Sequence, residues 1–240
     1  MINNKKVLGI VLARSGSKGL KGKNYKKLNG KPLVQYAIEA GNNSKYVDDL
    51  VLSSDCDKCI EIANNLEIEV PFKRPKHLSG DKVWSADVIK HAIEFLSNNG
   101  KNYDLFILLE PTSPLRDSND VDMAFEEMIK NNSSSMVSGC LAEDQHPNFM
   151  FKKVKNNRIK TWEGRRFKQL RRQDIDKAYF LEGSIYISEV KKFLAERSFI
   201  HNDTSLFEVP KWKSIEVDDI IDFICIEAIL NNKHVVREIK

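Results

Sequence analysis

Val7-Leu8-Gly9-Ile10-Val11-Leu12-Ala13 runs without a break into Arg14-Ser15-Gly16-Ser17-Lys18-Gly19-Leu20-Lys21-Gly22-Lys23-Asn24. The first stretch is apolar throughout, the pattern of a strand buried on both faces of a parallel sheet. It is too short for the core of a signal peptide and far too short to span a bilayer. The second stretch has glycine at every third position from Gly16 to Gly22, with cations between. Glycine lets a backbone curl and turn its N–H groups toward an anion, and Arg14, Lys18, Lys21 and Lys23 add positive charge beside them. Together they suit a triphosphate. The spacing is neither that of a Walker A loop nor that of the dinucleotide fingerprint. A flexible surface loop with solvated lysines is the bland reading of the same residues.

Outward from this point the pattern repeats. Pro32 opens a helix carrying Leu33, Tyr36, Ala37 and Ala40 at helical spacing. Residues 50–55 read as a second strand with a polar end, and 56–65 as a helix. A helical stripe runs over 85–96, a buried strand over 103–109, and a helix over 121–129. Glu110-Pro111-Thr112-Ser113-Pro114 closes that strand. Strand, loop and helix in rotation predict an α/β fold: a Rossmann-like, mostly parallel sheet with helices on both faces. Ligands in such folds bind beyond the carboxyl ends of the strands, so the loops starting at Arg14, Ser53 and Glu110 are where a site belongs.

Past Cys140 the rhythm changes. Residues 149–154 and 158–162 read as a small hairpin around Asn156-Asn157, followed by a basic stretch over 165–172. We read 141–178 as an arm inserted within a single domain spanning 1–240. Strand pattern returns at 184–187. A last helix over 218–230 is expected to bury Ile221, Ile224, Cys225, Ala228 and Ile229.

Composition sets limits. The 240 residues are 41% hydrophobic and 30% charged, which supports a packed core. A net charge of +4 does not describe a polycation built for nucleic acid. No stretch approaches membrane length. Cys56, Cys59, Cys140 and Cys225 show no disulfide framework, which fits a reducing, cytoplasmic setting. Cys56-x-x-Cys59 lacks a second pair and is read as incidental. The histidines show no ligand spacing, and His91 is read as packed. Trp84, Trp162 and Trp212 are read as packing residues.

Taken in order, these residues resemble the acylneuraminate cytidylyltransferase family, the CMP-sialic acid synthetases. The resemblance rests on Ala13, Arg14, Ser17, Lys18, Gly19, Lys23 and Asn24, then Ser53-Ser54-Asp55, then Arg74-Pro75 with Leu78-Ser79-Gly80-Asp81 and Ser85. It continues through Pro111-Thr112-Ser113-Pro114-Leu115-Arg116, Arg172-Gln173 and Gly183-Ser184-Ile185-Tyr186-Ile187, and so spans most of the chain. It implies a nucleotide-diphosphosugar transferase fold, a homodimer with an exchanged arm, and CTP and an acidic sugar as partners. Arg14, Ser17 and Lys18, with Gly19 in their loop, would meet the CTP phosphates. Lys23 and Asn24 would lie at the nucleotide and Ser85 on its cytidine side. Arg116, Gln173 and Tyr179 would lie nearer the sugar, with Arg172 beside Gln173.

Three departures stand out. The family usually has Gln where this chain has Glu110, and a carboxylate accepts hydrogen bonds but cannot donate as an amide does. That change suits a sugar carrying an extra amino or amide donor. Glu182-Gly183 replaces the family's Asn-Gly. Glu216-Val217-Asp218 replaces a late Asp-Ile-Asp; two carboxylates two apart on an extended segment share a face, so the pair can still serve Mg²⁺. The bland reading makes Asp218 the N-cap of the last helix.

The chemistry expected is attack of the sugar's anomeric hydroxyl on the α-phosphorus of CTP, with pyrophosphate leaving. Arg14, Lys23 and Asp218 form the expected catalytic set, and no side-chain general base is evident. Legionaminate, pseudaminate or Kdo are alternative sugars. A non-catalytic anion-binding module is the alternative of a different class.

Overall fold

Along Val7–Ala13 the side chains part to opposite sides, as alternation on a strand dictates. Val7, Val11 and Ala13 enter one core and Leu8, Ile10 and Leu12 another. The chain therefore builds a sheet covered on both faces. The computed structural model describes residues 1–143, 145–162, 164 and 171–238.

In chain order the elements are β1 (Val7–Ala13), β2 (Lys27–Leu28), β3 (Lys31–Pro32), α1 (Leu33–Asn42), β4 (Asp49–Ser54), α2 (Asp57–Asn65), α3 (Ser85–Asn98), β5 (Leu105–Leu109) and α4 (Ser118–Lys130). They continue with β6 (Ser135–Leu141), β7 (Phe151–Lys153), β8 (Ile159–Thr161), β9 (Tyr179–Glu189), α5 (Val190–Glu196), β10 (Ser205–Glu208), α6 (Ile220–Asn231) and α7 (Lys233–Glu238). Six of the described strands form one sheet in the order β10-β6-β9-β5-β1-β4, and β2–β3 and β7–β8 form two-stranded pairs apart from it. β1 pairs in parallel with β4 and β5, and β10 with β6. β9 runs antiparallel between β5 and β6. The expected mostly parallel sheet is thus present, with one reversed strand.

α1, α2 and α4 cover one face through residues such as Ala37, Cys59 and Phe125. α3 and α5 cover the other through Ile89, Leu96 and Phe193. There the fully buried Phe106 ring meets Phe193 edge-on at 4.9 Å, and truncating it to Ala would cost about 3–5 kcal/mol. At Gly9 the β1 backbone passes close to β4: an added Cβ would stand 2.5 Å from Leu50 Cδ1.

The hairpin expected around Asn156-Asn157 is β7–β8. Both asparagines have positive φ (59° and 57°), the left-handed pair that a tight two-residue turn requires and asparagine tolerates. The basic stretch 165–170 lies outside the described residues, as does the side chain of Arg172.

Four expectations need correction. The strand expected over 184–187 is the longer β9; its first residues, 179–181, pair only with the end of β6, beyond a register shift between Val137 and Gly139, and Glu182-Gly183 separates them from the apolar pattern that follows. α6 buries Phe223 and Ile226 against Leu28, Leu33, Leu115 and Val217, while Ile221 (66% exposed), Ile224, Cys225 and Ala228 face outward and Ile229 is only half-buried. Apolar residues surround this helix, so its periodicity selects no face. Its N-cap is Asp219, which accepts from the N–H groups of Ile221 and Asp222 in a capping box with Asp222, and not Asp218. Trp84 (78% exposed) and Trp162 (53%) stand in solvent and do not pack into the core.

Candidate active site

The loops after β1, β4 and β5 meet beyond the carboxyl ends of their strands, where such a sheet leaves a crevice. Polar strand ends hold the first loop in place. Ser54 Oγ donates to the carbonyl of Ala13 at 2.6 Å. Asp55 accepts from Ser15 N at 2.8 Å and from Ser15 Oγ at 2.6 Å. Asn24, itself buried, donates from Nδ2 to the carbonyl of Arg14 at 2.9 Å and so closes the loop on itself. Of the three loop glycines only Gly22 has positive φ (69°). Gly19 serves a close approach instead: a Cβ there would overlap the carbonyl oxygen of Asp218.

These loops enclose a cavity of about 240 Å³. Arg14, Ser17, Lys23, Asn24 and Ser85 all line it, so most of the residues expected at a nucleotide are brought together. Lys18 stands at its rim, 2.8 Å from Asp81. Arg74 also lines the cavity and is buried; it donates to Ser53 Oγ (3.1 Å) and to the Ser53 carbonyl. It ties the segment leading into residues 76–85 to the end of β4. Its place in Arg74-Pro75 was the signal available in the sequence.

A second cavity, about 490 Å³, adjoins β9 and the segment before α6. Glu182, Glu216 and Asp218 line it, with Leu181, Phe180 and Leu141 supplying apolar wall. Thr112 connects the two spaces. It lines the first cavity, donates its hydroxyl to Glu216 at 3.4 Å, and accepts from Val217 N at 2.8 Å. Val217 is buried in the core, which turns its neighbours Glu216 and Asp218 to the same side, as the spacing implied.

Glu216 is held further by the N–H of Gly183, where an added Cβ would stand 2.6 Å from the carboxylate. Gly183 is therefore glycine because the Glu216 carboxylate lies on its backbone. Burial, with Glu182 and Asp218 nearby, pushes the Glu216 carboxyl above its usual range, and the Gly183 and Thr112 donors partly offset this. Glu110, half-buried at the wall of the first cavity, is pushed up to about 7 by burial and by Glu216, against the pull of Arg74, Arg116 and Lys23. Glu182 is raised by burial, with Ser138 and Ser184 lowering it in part; its carboxylate accepts from Ser184 Oγ at 2.5 Å.

The expected sugar-side residues scatter. Arg116 is buried, and its guanidinium donates to the carbonyls of Ser184 (2.9 Å) and Glu110 (3.3 Å), tying the end of β5 to β9. It lines neither cavity. Burial lowers its pKa to about 10, with Glu182 and Asp120 opposing. Tyr179 donates to Glu208 at 2.9 Å across the sheet, and Gln173 is exposed in a short 3-10 turn.

Among the described residues no group of three or more His, Cys, Asp or Glu is arranged to hold a metal. Glu216 and Asp218 have the donor chemistry for a hard divalent cation that keeps waters and shares phosphate oxygens. Cys56 and Cys59 are both buried at the start of α2, and burial pushes the Cys59 thiol up, so neither is poised as a ligand. His91 is packed edge-on to Phe72 at 4.6 Å, as expected.

A family model described as Cytidylyltransferase matches residues 8–209, which include the whole lining of the first cavity and the β6 and β9 wall of the second, while Glu216 and Asp218 lie beyond the match. The chain belongs to the cytidylyltransferase family. It is accordingly a nucleotidyltransferase enzyme. This cytidylyltransferase is 34% identical over 218 residues to a pseudaminic acid cytidylyltransferase of Campylobacter jejuni, covering 90% of this chain and 93% of that one. It is 34% identical over 235 residues to an N-acylneuraminate cytidylyltransferase of Streptococcus agalactiae, covering 97% of this chain and 55% of the relative. It is 30% identical over 230 residues to a CMP-N,N'-diacetyllegionaminic acid synthase of Campylobacter jejuni, covering 95% and 96%. Its fold is that of a CMP:2-keto-3-deoxy-manno-octonic acid synthetase solved with CTP, at a TM-score of 0.67 and 16% identity over 95% of this chain and 99% of that one.

Proposed function

We propose that the enzyme transfers CMP from CTP to the anomeric hydroxyl of an acidic nine-carbon sugar and releases pyrophosphate. One observation carries the reading: a cavity of about 240 Å³ lined by Arg14, Lys23 and Arg74 opens beside a carboxylate-lined one, joined through Lys23 and Thr112. The relatives named for pseudaminic, neuraminic and legionaminic acids support the sugar class.

In this reading Arg14, Ser17 and Lys18 grip the phosphates, and Asn24 keeps their loop closed. Arg74 and Ser85 line the nucleoside end. The sugar takes the second cavity against Phe180, Leu181 and Glu182. Its hydroxyl oxygen bonds to the α-phosphorus, the bond from that phosphorus to the bridging oxygen breaks, and the hydroxyl proton passes to solvent. Lys23, beside Asp218, stabilises charge between the two substrates. Glu216 and Asp218 would hold Mg²⁺, which supplies neutralisation of phosphate charge.

The same reading includes a homodimer. The β7–β8 hairpin displays Ile159 (63% exposed), Trp162 and Met150 to solvent, an apolar surface suited to a second copy. No described helix is long and apolar enough to cross a membrane. We place the enzyme in the cytoplasm, where its nucleotide is available and its cysteines, none of them paired, stay reduced.

The test is pyrophosphate release from CTP and Mg²⁺ with neuraminic, legionaminic and pseudaminic acids and with Kdo. Turnover of a nine-carbon acid above Kdo is expected. Folded enzyme that releases pyrophosphate with none of the nine-carbon acids contradicts the reading.

A further inference from the structure

Asp81 stands on the lip of the nucleotide cavity, across from the cationic loop. Its Oδ1 lies 2.5 Å from Arg14 Nη1 and its Oδ2 lies 2.8 Å from Lys18 Nζ. One carboxylate thus spans the two cations assigned to the triphosphate, one oxygen to each, as a phosphate group would. The two cations hold the Asp81 carboxyl below the usual range. Asp81 belongs to a different segment from its partners. It follows the 3-10 turn Lys76–Leu78 and Gly80, and leads through Val83, Trp84 and Ser85 into α3. Gly80, Asp81, Val83 and Ser85 line the cavity from this side, facing Arg14, Gly16 and Ser17. Any anion that reaches Arg14 and Lys18 has to replace Asp81.

We propose that Asp81 is an internal counter-anion that closes the phosphate end of the cavity and makes binding selective for ligands carrying several phosphate charges. The proposal rests on the reading that this cavity takes CTP. A polyphosphate brings several negative charges against the single charge of Asp81 and displaces it. A nucleoside without phosphates gains nothing from Arg14 or Lys18 and leaves the latch shut. The ion pairs are partly exposed, so the barrier they set is modest and is overcome by the ligand itself. On displacement the 76–85 lip loses its tie to the loop after β1 and is freed to adjust around the nucleotide.

Calorimetric titration of inorganic tripolyphosphate, CTP and cytidine into wild type, Asp81→Asn, Lys18→Ala and the double variant tests this. Asp81→Asn is expected to tighten tripolyphosphate and CTP about three- to tenfold, the scale of two partly exposed ion pairs, and to leave cytidine unchanged. The gain shrinks in the Lys18→Ala background, where one of the two pairs is already gone. Amide exchange over 76–85 rises without ligand in Asp81→Asn and in Lys18→Ala, and in wild type only when tripolyphosphate is added. Tripolyphosphate binding that is unchanged or weaker in Asp81→Asn, or cytidine binding that tightens equally, overturns the latch. Wild-type protein that binds neither CTP nor tripolyphosphate removes the nucleotide reading itself, and the latch with it.

Discussion

Lys23 Nζ lies 3.3 Å from Oδ1 of Asp218 and 2.7 Å from the carbonyl oxygen of Val217, with its side chain only 14% exposed and that of Asp218 83% exposed. A lysine from the first loop of the fold is thus pinned to a segment almost two hundred residues later in the chain. The contact fixes the distance between the loop lining the first cavity and the carboxylates of the second. Lys23→Ala is expected to lower kcat/KM by about 10²–10³-fold, the scale of losing one preorganised charged donor. It should cost only about 1–3 kcal/mol of stability. Steady-state kinetics beside a urea melt separate the two. Wild-type kinetics in the variant would show that Lys23 is a structural tether alone.

Gly183 and Glu216 make a second such contact. A methyl group at residue 183 would occupy the place of the Glu216 carboxylate, so Gly183→Ala must turn that group away. The predicted result is a fall of about ten- to a hundredfold in metal affinity or activity, as for loss of a group that orients a metal ligand. Measured as the Mg²⁺ concentration giving half-maximal CTP turnover, the shift should appear in Gly183→Ala, Glu216→Gln and Asp218→Asn alike. An unchanged Mg²⁺ dependence in all three would remove the carboxylate pair from metal binding.

Glu110 yields a prediction in pH. Its folded carboxyl is pushed up to about 7, above the ordinary value of 4.5 that applies when the chain is unfolded. A raised carboxylate binds its proton more tightly in the folded state, so its contribution to stability falls as pH rises from about 4.5 to 7 and stays low beyond. Glu110→Gln removes that loss. The variant should be more stable than wild type at pH 8, by up to roughly 3 kcal/mol, with the difference shrinking toward pH 5. Denaturant melts at the two pH values decide it; a difference that grows toward acid would have the wrong sign. A charge kept at such a cost fits a group with work to do at the substrate.

The exposed apolar residues of the β7–β8 hairpin bear on assembly. Ile159→Asp and Trp162→Ser remove apolar surface that faces solvent in one copy and should not lower the stability of the single chain by more than about 0.5 kcal/mol. Both are expected to weaken self-association at least tenfold, read by sedimentation velocity over a concentration series. A wild-type protein that stays monomeric at high concentration would refute the dimer.

How much of this was legible before the structure depends on the residue. β1 could be placed to its ends because an unbroken apolar run stops at Arg14. The hairpin turn was legible because Asn156-Asn157 is a backbone-specific signal. The first cavity was legible because its lining residues cluster in one loop and a few short strings. The second was not. Arg116 sits in the most recognisable string of the chain, yet it is buried with both terminal nitrogens donating to backbone carbonyls. Thr112 joins the cavities through a contact spanning 104 residues in sequence. Gly183 is explained only by the carboxylate that rests on it. The exposed face of α6 was misassigned because a helix apolar on every side gives periodicity nothing to choose between.

The most direct test of the whole account is a crystal structure with CTP and Mg²⁺ bound. The account predicts the triphosphate against Arg14, Ser17, Lys18 and Lys23, Asp81 displaced from Arg14, and the cation between the phosphates and the Glu216 and Asp218 carboxylates. A nucleotide bound with its phosphates away from Arg14 and Lys23, or a cation held far from Asp218, would contradict it.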